Sequence, residues 1–493
     1  MLPLLFATAL AAPGDDPEVE LAERLLRAQE ASVILGGSDH SADRLAWQIE
    51  DIDAEDEHWE GVQALLSREL EPQRIAMEGD TWWRPVVGVD GYARLAVGDG
   101  RTRGLSGDAE PGLFSPRVGV ALSARAPWWE ARVAPEIRVD LVGQGAVGFS
   151  NPSWWVGLNH GPLRAGFGAE PRWLGPARHS ALILGDDAVP FPAGVISGEG
   201  KIPKLGVARA EVGTGWLQEP RDDVNNPGLL WMDARWAPVP YVEIGASRAS
   251  IFGGEGRPMP SVGQLLLPLE PHVYDDPDKE EPDSDEIAAL DLRVMIPLGR
   301  WLPIETLELW TQYGGDDMIV QRLGPLPLPS LAGIGNLFGA ELGWGPLVAS
   351  VEYSRLMDDY FRWYQGHRIY HDGFTQDGRS IAHLNGGDQE TLWGRVRYIP
   401  GPWAAELSGE WVRRVGVLEV VQDNVFTLPT EEERLSVGAA GWYWFKTGGR
   451  LGVGYTLEHG TGYDFVPGND GFSHRVWVEL RATPWVILDD DGG

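Results

Sequence analysis

No cysteine occurs in the chain, which excludes a disulfide framework, a thiolate metal site and a cysteine nucleophile. Positive charge is scarce: 40 basic side chains face 73 acidic ones, a formal balance of -33. So acidic a chain repels a phosphate backbone instead of releasing its counterions, which argues against nucleic acid as a partner. Long apolar helical runs are missing as well. The longest uncharged stretch beyond the N-terminus, Leu323 to Ala340, holds three prolines and four glycines, too many breakers for a lone helix facing lipid. A membrane crossing would therefore need a closed barrel. The G-x-S-x-G elbow, the usual local sign of a catalytic serine, does not occur either.

Tryptophan, glycine and proline are abundant, at 23, 64 and 37 residues, while 43% of the chain is hydrophobic. That mixture suits many short strands and tight turns, so an all-β fold is expected. The opening MLPLLFATALAAP is apolar from Leu2 and ends in Ala9-Leu10-Ala11, a cleavage pattern that marks residues 1–11 as a secretory signal, although no basic residue precedes the run. From Pro17 to about Arg74 the apolar residues recur at helical spacing, with Leu21, Leu25 and Leu26 in one segment and Leu45, Ile49 and Ile52 in a second. Residues 17–74 are thus expected to form a small acidic helical segment.

After Trp82 the period changes to two. In WWEARVAPEIRVDLVG, residues 128–143, Glu130, Arg132, Glu136, Arg138 and Asp140 share one face while Ala131, Val133, Ile137, Val139 and Leu141 share the other. Such a strand suits a soluble sandwich with an apolar core or a membrane barrel with an apolar outside. The spacing of turns discriminates between them. Short connections bearing Pro or Gly fall at Ala126-Pro127, Gly161-Pro162, 237–240, 297–303, Gly345-Pro346, 400–402 and 446–449. Between them lie long polar segments at 249–287, 314–338, 356–391, 413–434 and 459–473. Outer-membrane barrels show that asymmetry, and no repeat with the period of a propeller blade is present. At ~10 residues per strand and a similar allowance per connection, residues 82–488 accommodate about 18 antiparallel strands. On this reading Val133, Ile137 and Val139 face lipid, and Glu136 and Arg138 face the lumen.

Few segments suggest chemistry. Ser473 and His474 adjoin, but neighbours on a strand point to opposite faces. His367, His371, Asp372, His383 and Asp388 could in principle ligate zinc, yet Gly373, Gly378, Gly386 and Gly387 favour a polar loop that hydrogen-bonds hydroxyl-rich ligands or neighbouring loops. Asp275 to Glu286 holds eight carboxylates, a charge run that reads as a solvated loop and matches no EF-hand. No catalytic set, metal site or cofactor is expected. The stretch from 166 to 193, GFGAEPRWLGPARHSALILGDDAVPFPA, is less ordinary. It places Arg172, Trp173, Arg178 and His179 around a short apolar run, Ala181 to Leu184. Trp173 there reads either as part of an interface girdle, with Pro176 marking a turn, or as part of a binding segment.

RWLGPARHSALILGDDAVPFPA resembles the signature of the Wzi family of capsule assembly proteins through Trp173, Gly175, Pro176, Ser180, Leu182, Leu184, Ala188 and Pro190. Asp186 and Asp187 stand where that family usually carries an Asn pair. A second resemblance lies in YHDGFTQDGRSIAHLNGGDQE, through Tyr370, Gly373, Arg379, His383, Gly387 and Asp388. The resemblance implies an outer-membrane barrel, closed on the periplasmic side by the helical segment, that acts as a lectin holding capsular polysaccharide at the cell surface. It implies no catalysis, and protein partners are left open. An acidic polysaccharide would meet long-range repulsion from this chain, so binding would need local Arg and His, a divalent bridge or a neutral glycan. The rivals are a diffusion porin for small solutes and a barrel enzyme acting on lipid or glycan.

The site expected from these readings consists of Arg172, Trp173, Arg178, His179, Tyr370, Arg379, His383 and Asp388. Rings such as Trp173 and Tyr370 can stack on the C–H faces of sugars, and the polar groups can bond hydroxyls. The two segments are expected to lie near each other on the extracellular or lumenal side. They would contact the glycan or, by folding inward, plug the barrel through buried hydrogen bonds.

Overall fold

A computed structural model describes residues 86–487 except 99–113, 127, 140–146, 161–162, 187, 267–283, 301–303, 324–325, 358–362, 365–366, 368, 377, 417–429, 446–448 and 483–484. The expected signal, the expected helical segment 17–74 and the outer bounds Trp82 and Leu488 lie outside the described residues. The wall begins with β1 (Val86–Gly98), β2 (Phe114–Ala126), β3 (Trp129–Val139), β4 (Val147–His160), β5 (Leu163–Ala169), β6 (Ala193–Ile202) and β7 (Gly206–Trp216). It continues with β8 (Gly228–Val239), β9 (Val242–Phe252), β10 (Ser284–Pro297), β11 (Thr306–Leu323), β12 (Leu326–Trp344) and β13 (Leu347–Arg355). A small hairpin of β14 (Thr375–Gln376) and β15 (Arg379–Ser380) stands apart from it. The wall then resumes with β16 (Gln389–Tyr398), β17 (Trp403–Gly416), β18 (Thr430–Trp444), β19 (Arg450–Thr461), β20 (Gly471–Ala482) and β21 (Trp485–Ile487).

Each wall strand pairs antiparallel with the next, and the last returns to the first. β1 pairs with β2 on one side and with β20 and β21 on the other, from Val86 opposite Ile487 to Gly98 opposite Arg475. Because β20 and β21 lie end to end along β1, the barrel has 18 strands and no free edge. Closure removes the free edge and lets neighbouring strands satisfy one another's N–H and C=O groups, the condition for a sheet to survive in hydrocarbon.

The two faces of the wall settle what alternation alone left open. Apolar side chains are the exposed ones: Val118 is 56% accessible, Ile137 50% and Ile196 68%. Charged side chains are the buried ones, among them Glu130, Glu136, Arg209, Glu211, Asp233 and Arg235. That is the inverse of a soluble sandwich and the pattern of a barrel whose solvent outside is lipid. On β3, Val133 and Ile137 point outward while Glu136 is buried inside. Trp128, Trp236, Trp344, Trp403 and Tyr443 form an exposed aromatic girdle at the end with short turns, and Trp216, Tyr313, Tyr455 and Phe472 form one at the other end. The eight residue steps of β17 from Trp403 to Trp411 span roughly 20 Å of wall at the usual strand tilt. Just above, the outward Arg413–Glu431 ion pair at 2.5 Å marks where the hydrocarbon has ended.

Connections of 2–8 residues join strands at one end, as at 203–205, 240–241 and 345–346, whereas the long connections leave the wall at the other, after Ala169, Phe252 and Arg355. One expectation needs correcting. Residues 314–338 are not a long loop but the far halves of β11 and β12, 18 and 19 residues long, paired as far as Leu323 opposite Leu326. The glycines and prolines there obscured the strand period. The acidic run likewise ends in strand: Asp285 is buried and Glu286 pairs with Arg248.

The wealth of Trp and Gly has a common cause. Across adjacent strands an aromatic residue stands directly opposite a glycine at Tyr92/Gly119, Trp155/Gly168, Trp231/Gly213, Trp310/Gly339, Trp442/Gly452 and Trp477/Gly454. The ring folds down over the bare backbone. A Cβ at Gly339 would stand 2.1 Å from Trp310 Cε2, so the pairing admits only glycine.

The outward face can be tested at one position. Ile137→Arg is expected to destabilise the barrel by roughly 1–3 kcal/mol, as for a lipid-facing cation between the bilayer midplane and the interface, whereas Ile137→Val, which keeps the face apolar, costs under about 1 kcal/mol. Urea titration of the folded, heat-modifiable form in lipid vesicles measures both. Equal tolerance of the two changes would contradict a lipid-facing Ile137.

Candidate functional site

The connection from β5 to β6, residues 170–192, begins and ends at the long-loop end but folds back into the lumen. Its apolar run is too short for a helix or a full strand, and it finds its cover inside. Leu174, Ala181, Leu182, Ile183 and Leu184 are at most 1% exposed. They pack with wall residues Leu229, Trp231, Ala249, Ile251, Ile287 and Leu337, which make this sector of the lumen apolar. Leu174 N–H donates to Leu184 O at 2.9 Å and closes the segment on itself. Gly175 sits at φ +135°, where a Cβ would meet Gln312 Nε2 at 2.3 Å. Trp173 is 4% exposed within the same cluster, so it does not belong to a girdle.

One wall carboxylate anchors this segment. Backbone N–H groups of Arg178 and Ser180 donate to Glu352 at 2.9 and 3.0 Å, His179 N–H approaches it at 3.4 Å, and Trp310 Nε1 donates at 3.1 Å. Gln312 assists by accepting from Leu182 N–H at 3.2 Å and donating to Asp291 at 2.9 Å. The Arg178 guanidinium lies 3.6 Å from Glu308 and 3.7 Å from Glu341. None of these wall residues was singled out from sequence. The only signal was an inward-facing carboxylate in the alternating run of β13, which many strands of the barrel share.

The second motif segment, 356–388, closes over the first. Gly185 N–H donates to Ile381 O at 2.9 Å, Leu384 N–H to Ser180 Oγ at 2.9 Å, and Tyr364 Oη to Leu182 O at 2.7 Å. Trp363, Tyr370, Phe374, Ile381 and Ala382 join the same apolar cluster. Arg221 in the β7–β8 connection clamps the far side. It bonds Asp223 at 2.9 Å, Glu219 at 3.1 Å and Gly373 O at 2.9 Å, while Asp372 N–H donates to Asp223 at 2.8 Å.

The eight expected site residues divide by burial. Arg172, Trp173, Arg178, Tyr370 and His383 are buried. Arg172 lies 5.7 and 5.8 Å from the rings of Trp155 and Trp231, and Tyr370 Oη donates to Gly253 O at 3.0 Å. His179 stacks on Trp393 at 4.7 Å and meets Glu410 at 2.9 Å. The Asn385 amide also donates to Glu410, at 2.8 Å, so His179 and the His383–Asn385 turn meet through one carboxylate. Arg379 stands half-buried on β15. Asp388 is also half-buried, with left-handed φ of 50°, and its carbonyl accepts Val415 N–H at 2.9 Å.

The other candidates are also accounted for. The His367 ring accepts backbone N–H groups of Ile369 and Tyr370, and His371 is exposed. Among the described residues no group of three His, Asp or Glu is placed to hold a metal. Ser473 is buried in the wall while His474 faces outward to Tyr455 Oη at 2.7 Å.

His383 reports on this packing. Its Nδ1 lies 3.2 Å from Asn385 N–H and accepts from it, which places the ring proton on Nε2, 2.8 Å from Ser354 Oγ. Burial, with the nearby His179, pushes its pKa down from 6.5 to about 3. An unfolded or released His383 takes up a proton near 6.5, so stability of the packed segment is complete above that pH and declines as pH falls toward 3. Hydrogen exchange of the 370–385 backbone, corrected for intrinsic rates, is expected to show opening that rises about tenfold per pH unit below 6.5. His383→Gln should flatten that slope. A slope equally steep in the variant would assign the acid sensitivity elsewhere.

Comparison with known proteins sets this geometry in context. The model of the family described as capsule assembly protein Wzi matches residues 118–399, more than half of the chain. Among solved structures the chain is similar to Wzi of Escherichia coli, described as an outer membrane protein involved in group 1 capsule assembly and a carbohydrate-binding β-barrel. The likeness has 17% identity and a TM-score of 0.68, covering 96% of this chain and 99% of that one. It is also similar to the outer membrane protein OprD of Pseudomonas aeruginosa, at 9% identity and a TM-score of 0.50, over 84% of this chain and 96% of the other. Identities this low establish the shared fold alone. No curated protein sequence matches.

Proposed function

The chain belongs to the capsule assembly protein Wzi family, and from that premise we propose that it binds capsular polysaccharide and retains it at the cell surface. Its place is the outer membrane, where the apolar outside and the closed wall suit a barrel in lipid. The observation that carries the reading is that both family-like segments fold together, each closing on the other within the lumen. Retention by binding needs no turnover, and we assign the protein no reaction.

Within the site we give the buried residues and the accessible ones different roles. Arg172, Trp173, Arg178, Tyr370 and His383 hold the shape. His179, its side chain 6% exposed, stacked on Trp393 and held by Glu410, belongs with them, whereas Arg379 and Asp388, which keep partial access to solvent, contact the glycan. Sugar hydroxyls suit such a mixture of cation and carboxylate. The lumen between β4 and β13 is occupied by residues 170–192 and 356–388, which weakens the porin reading.

Arg379→Ala combined with Asp388→Ala is expected to lower cell-retained capsule at least tenfold at unchanged outer-membrane level and heat-modifiability. Trp173→Ala removes a buried ring, costs about 3–5 kcal/mol, and should lower the folded amount together with the capsule. Assay of retained against shed polysaccharide, beside the amount of folded protein, separates these outcomes. Full retention in the Arg379/Asp388 variant would refute the contact assignment.

A further inference from the structure

The connection from β19 to β20 belongs to neither family-like segment, yet it is as closely built as they are. Tyr463 is buried: its ring covers Gly460, where a Cβ would stand 2.3 Å from Cζ, and its Oη donates to Glu458 at 3.0 Å. Tyr463 N–H donates to Asn469 O at 3.0 Å, and Gly462 N–H donates to the Asp470 carboxylate at 2.9 Å. Held in this way, the chain turns with Gly462 at φ 63°, Asp464 at 56° and Phe465 at 58°. Glycine takes that region freely and aspartate visits it, but a bulky aromatic residue there is an outlier that persists only where its surroundings impose it. Such outliers cluster at functional sites. Here the chain carries a phenyl ring where the backbone alone favours glycine.

That ring leans toward the second family-like segment. It lies over Gly416 of β17, where a Cβ would stand 2.6 Å from ring atom Cγ, and the Arg414 guanidinium lies 5.0 Å from the ring centre. Arg414 reaches the other way as well, since a Cβ at Gly386 would stand 3.8 Å from its Nη2. Next to it, Val415 N–H donates to Asp388 O. A second route joins the same two turns: Asp464 N–H donates to Glu432 at 3.2 Å, Glu432 pairs with Arg434 at 2.9 Å, and Arg434 donates to Asn385 Oδ1 at 2.9 Å. The turn at 462–466 and the turn at 383–388 therefore adjoin, with Arg414 between Gly386 and Phe465. Phe465 is half-buried, and Asp464 beside it is exposed. We propose that Phe465 is an aromatic shelf of the glycan site, stacking on the C–H face of a sugar ring whose hydroxyls donate to Asp388 and Asp464; this adds a third segment to the carbohydrate-binding reading and rests on it. A ring already fixed by an imposed backbone and by Arg414 loses little freedom when a sugar settles on it, so the contact is not offset by ordering.

The test uses the full chain in detergent and the surface polysaccharide purified from the cell that makes it. Binding is followed by calorimetry, with heat-modifiable mobility and the urea midpoint as checks on folding. Phe465→Gly removes the ring but suits the left-handed backbone, so it is expected to fold normally and to bind about tenfold more weakly. Phe465→Tyr keeps a ring and is expected to bind within about threefold of the unmodified protein. If Phe465→Gly binds as tightly as the unmodified protein, the carbohydrate reading stands and the ring is not part of its site. If binding instead falls only in proportion to the folded amount, the ring is scaffolding and the shelf is refuted. If the unmodified protein does not bind the polysaccharide, the carbohydrate reading falls and the shelf with it.

Discussion

The carboxylate of Glu352 determines what the inside of this barrel becomes. A carboxylate facing a barrel interior must be wetted or paired, and the N–H groups of a segment withdrawn from water must find acceptors. Glu352 and the turn at Arg178 to Ser180 meet both needs at once. With that turn fixed, Ala181 to Leu184 cannot reach solvent, and the facing wall must be apolar, as Leu229, Ala249, Ile251 and Ile287 make it. The 356–388 segment then has a surface on which to pack and closes over it with three hydrogen bonds of 2.7–2.9 Å. Each backbone N–H left without its acceptor would cost about 1–3 kcal/mol, so the arrangement holds or fails as a unit.

The wall is the other half of the account, and its chemistry is inverted. Lipid outside selects Val, Leu, Ile and aromatic girdles, and the lumen selects ion pairs that satisfy one another. Large rings inside would crowd a tilted sheet, and the directly opposed glycines remove that conflict by letting each ring lie along the neighbouring backbone. The lumen thus contains two kinds of surface: a sector of mutually paired charges and an apolar seat for the inward segments.

Much of the wall was legible in the sequence, because period-two alternation and the placement of turns are local signals. Glu130 and Glu136 against Val133 and Ile137 defined two faces, and short turns such as Gly345-Pro346 fixed the strand pairing. The 314–338 stretch was misread because Gly and Pro there resemble a loop, whereas register with the partner strand keeps it in the ladder. In the site, Trp173, Arg178, Tyr370 and His383 stood out as unusual residues in unusual segments, but their burial depends on which wall strand each segment meets. Glu352, Gln312, Trp310 and Glu410 carry no local mark at all, since each is one inward position among many. Glu352, Gln312 and Glu410 meet the segment across 174, 130 and 231 residues of chain, and Trp310 takes part through Glu352, 42 residues away.

Because the chain contains no cysteine, single thiols can probe the central arrangement directly. Ala181 is fully buried beneath the segment, and Val189, eight residues on, is 39% exposed. With a membrane-impermeant maleimide on intact cells, Val189→Cys is expected to label rapidly and Ala181→Cys not at all. Adding Glu352→Ala to the second variant should release the turn and make position 181 reactive. Labelling of Ala181→Cys at the rate of Val189→Cys, with Glu352 in place, would contradict an inward segment anchored by that carboxylate.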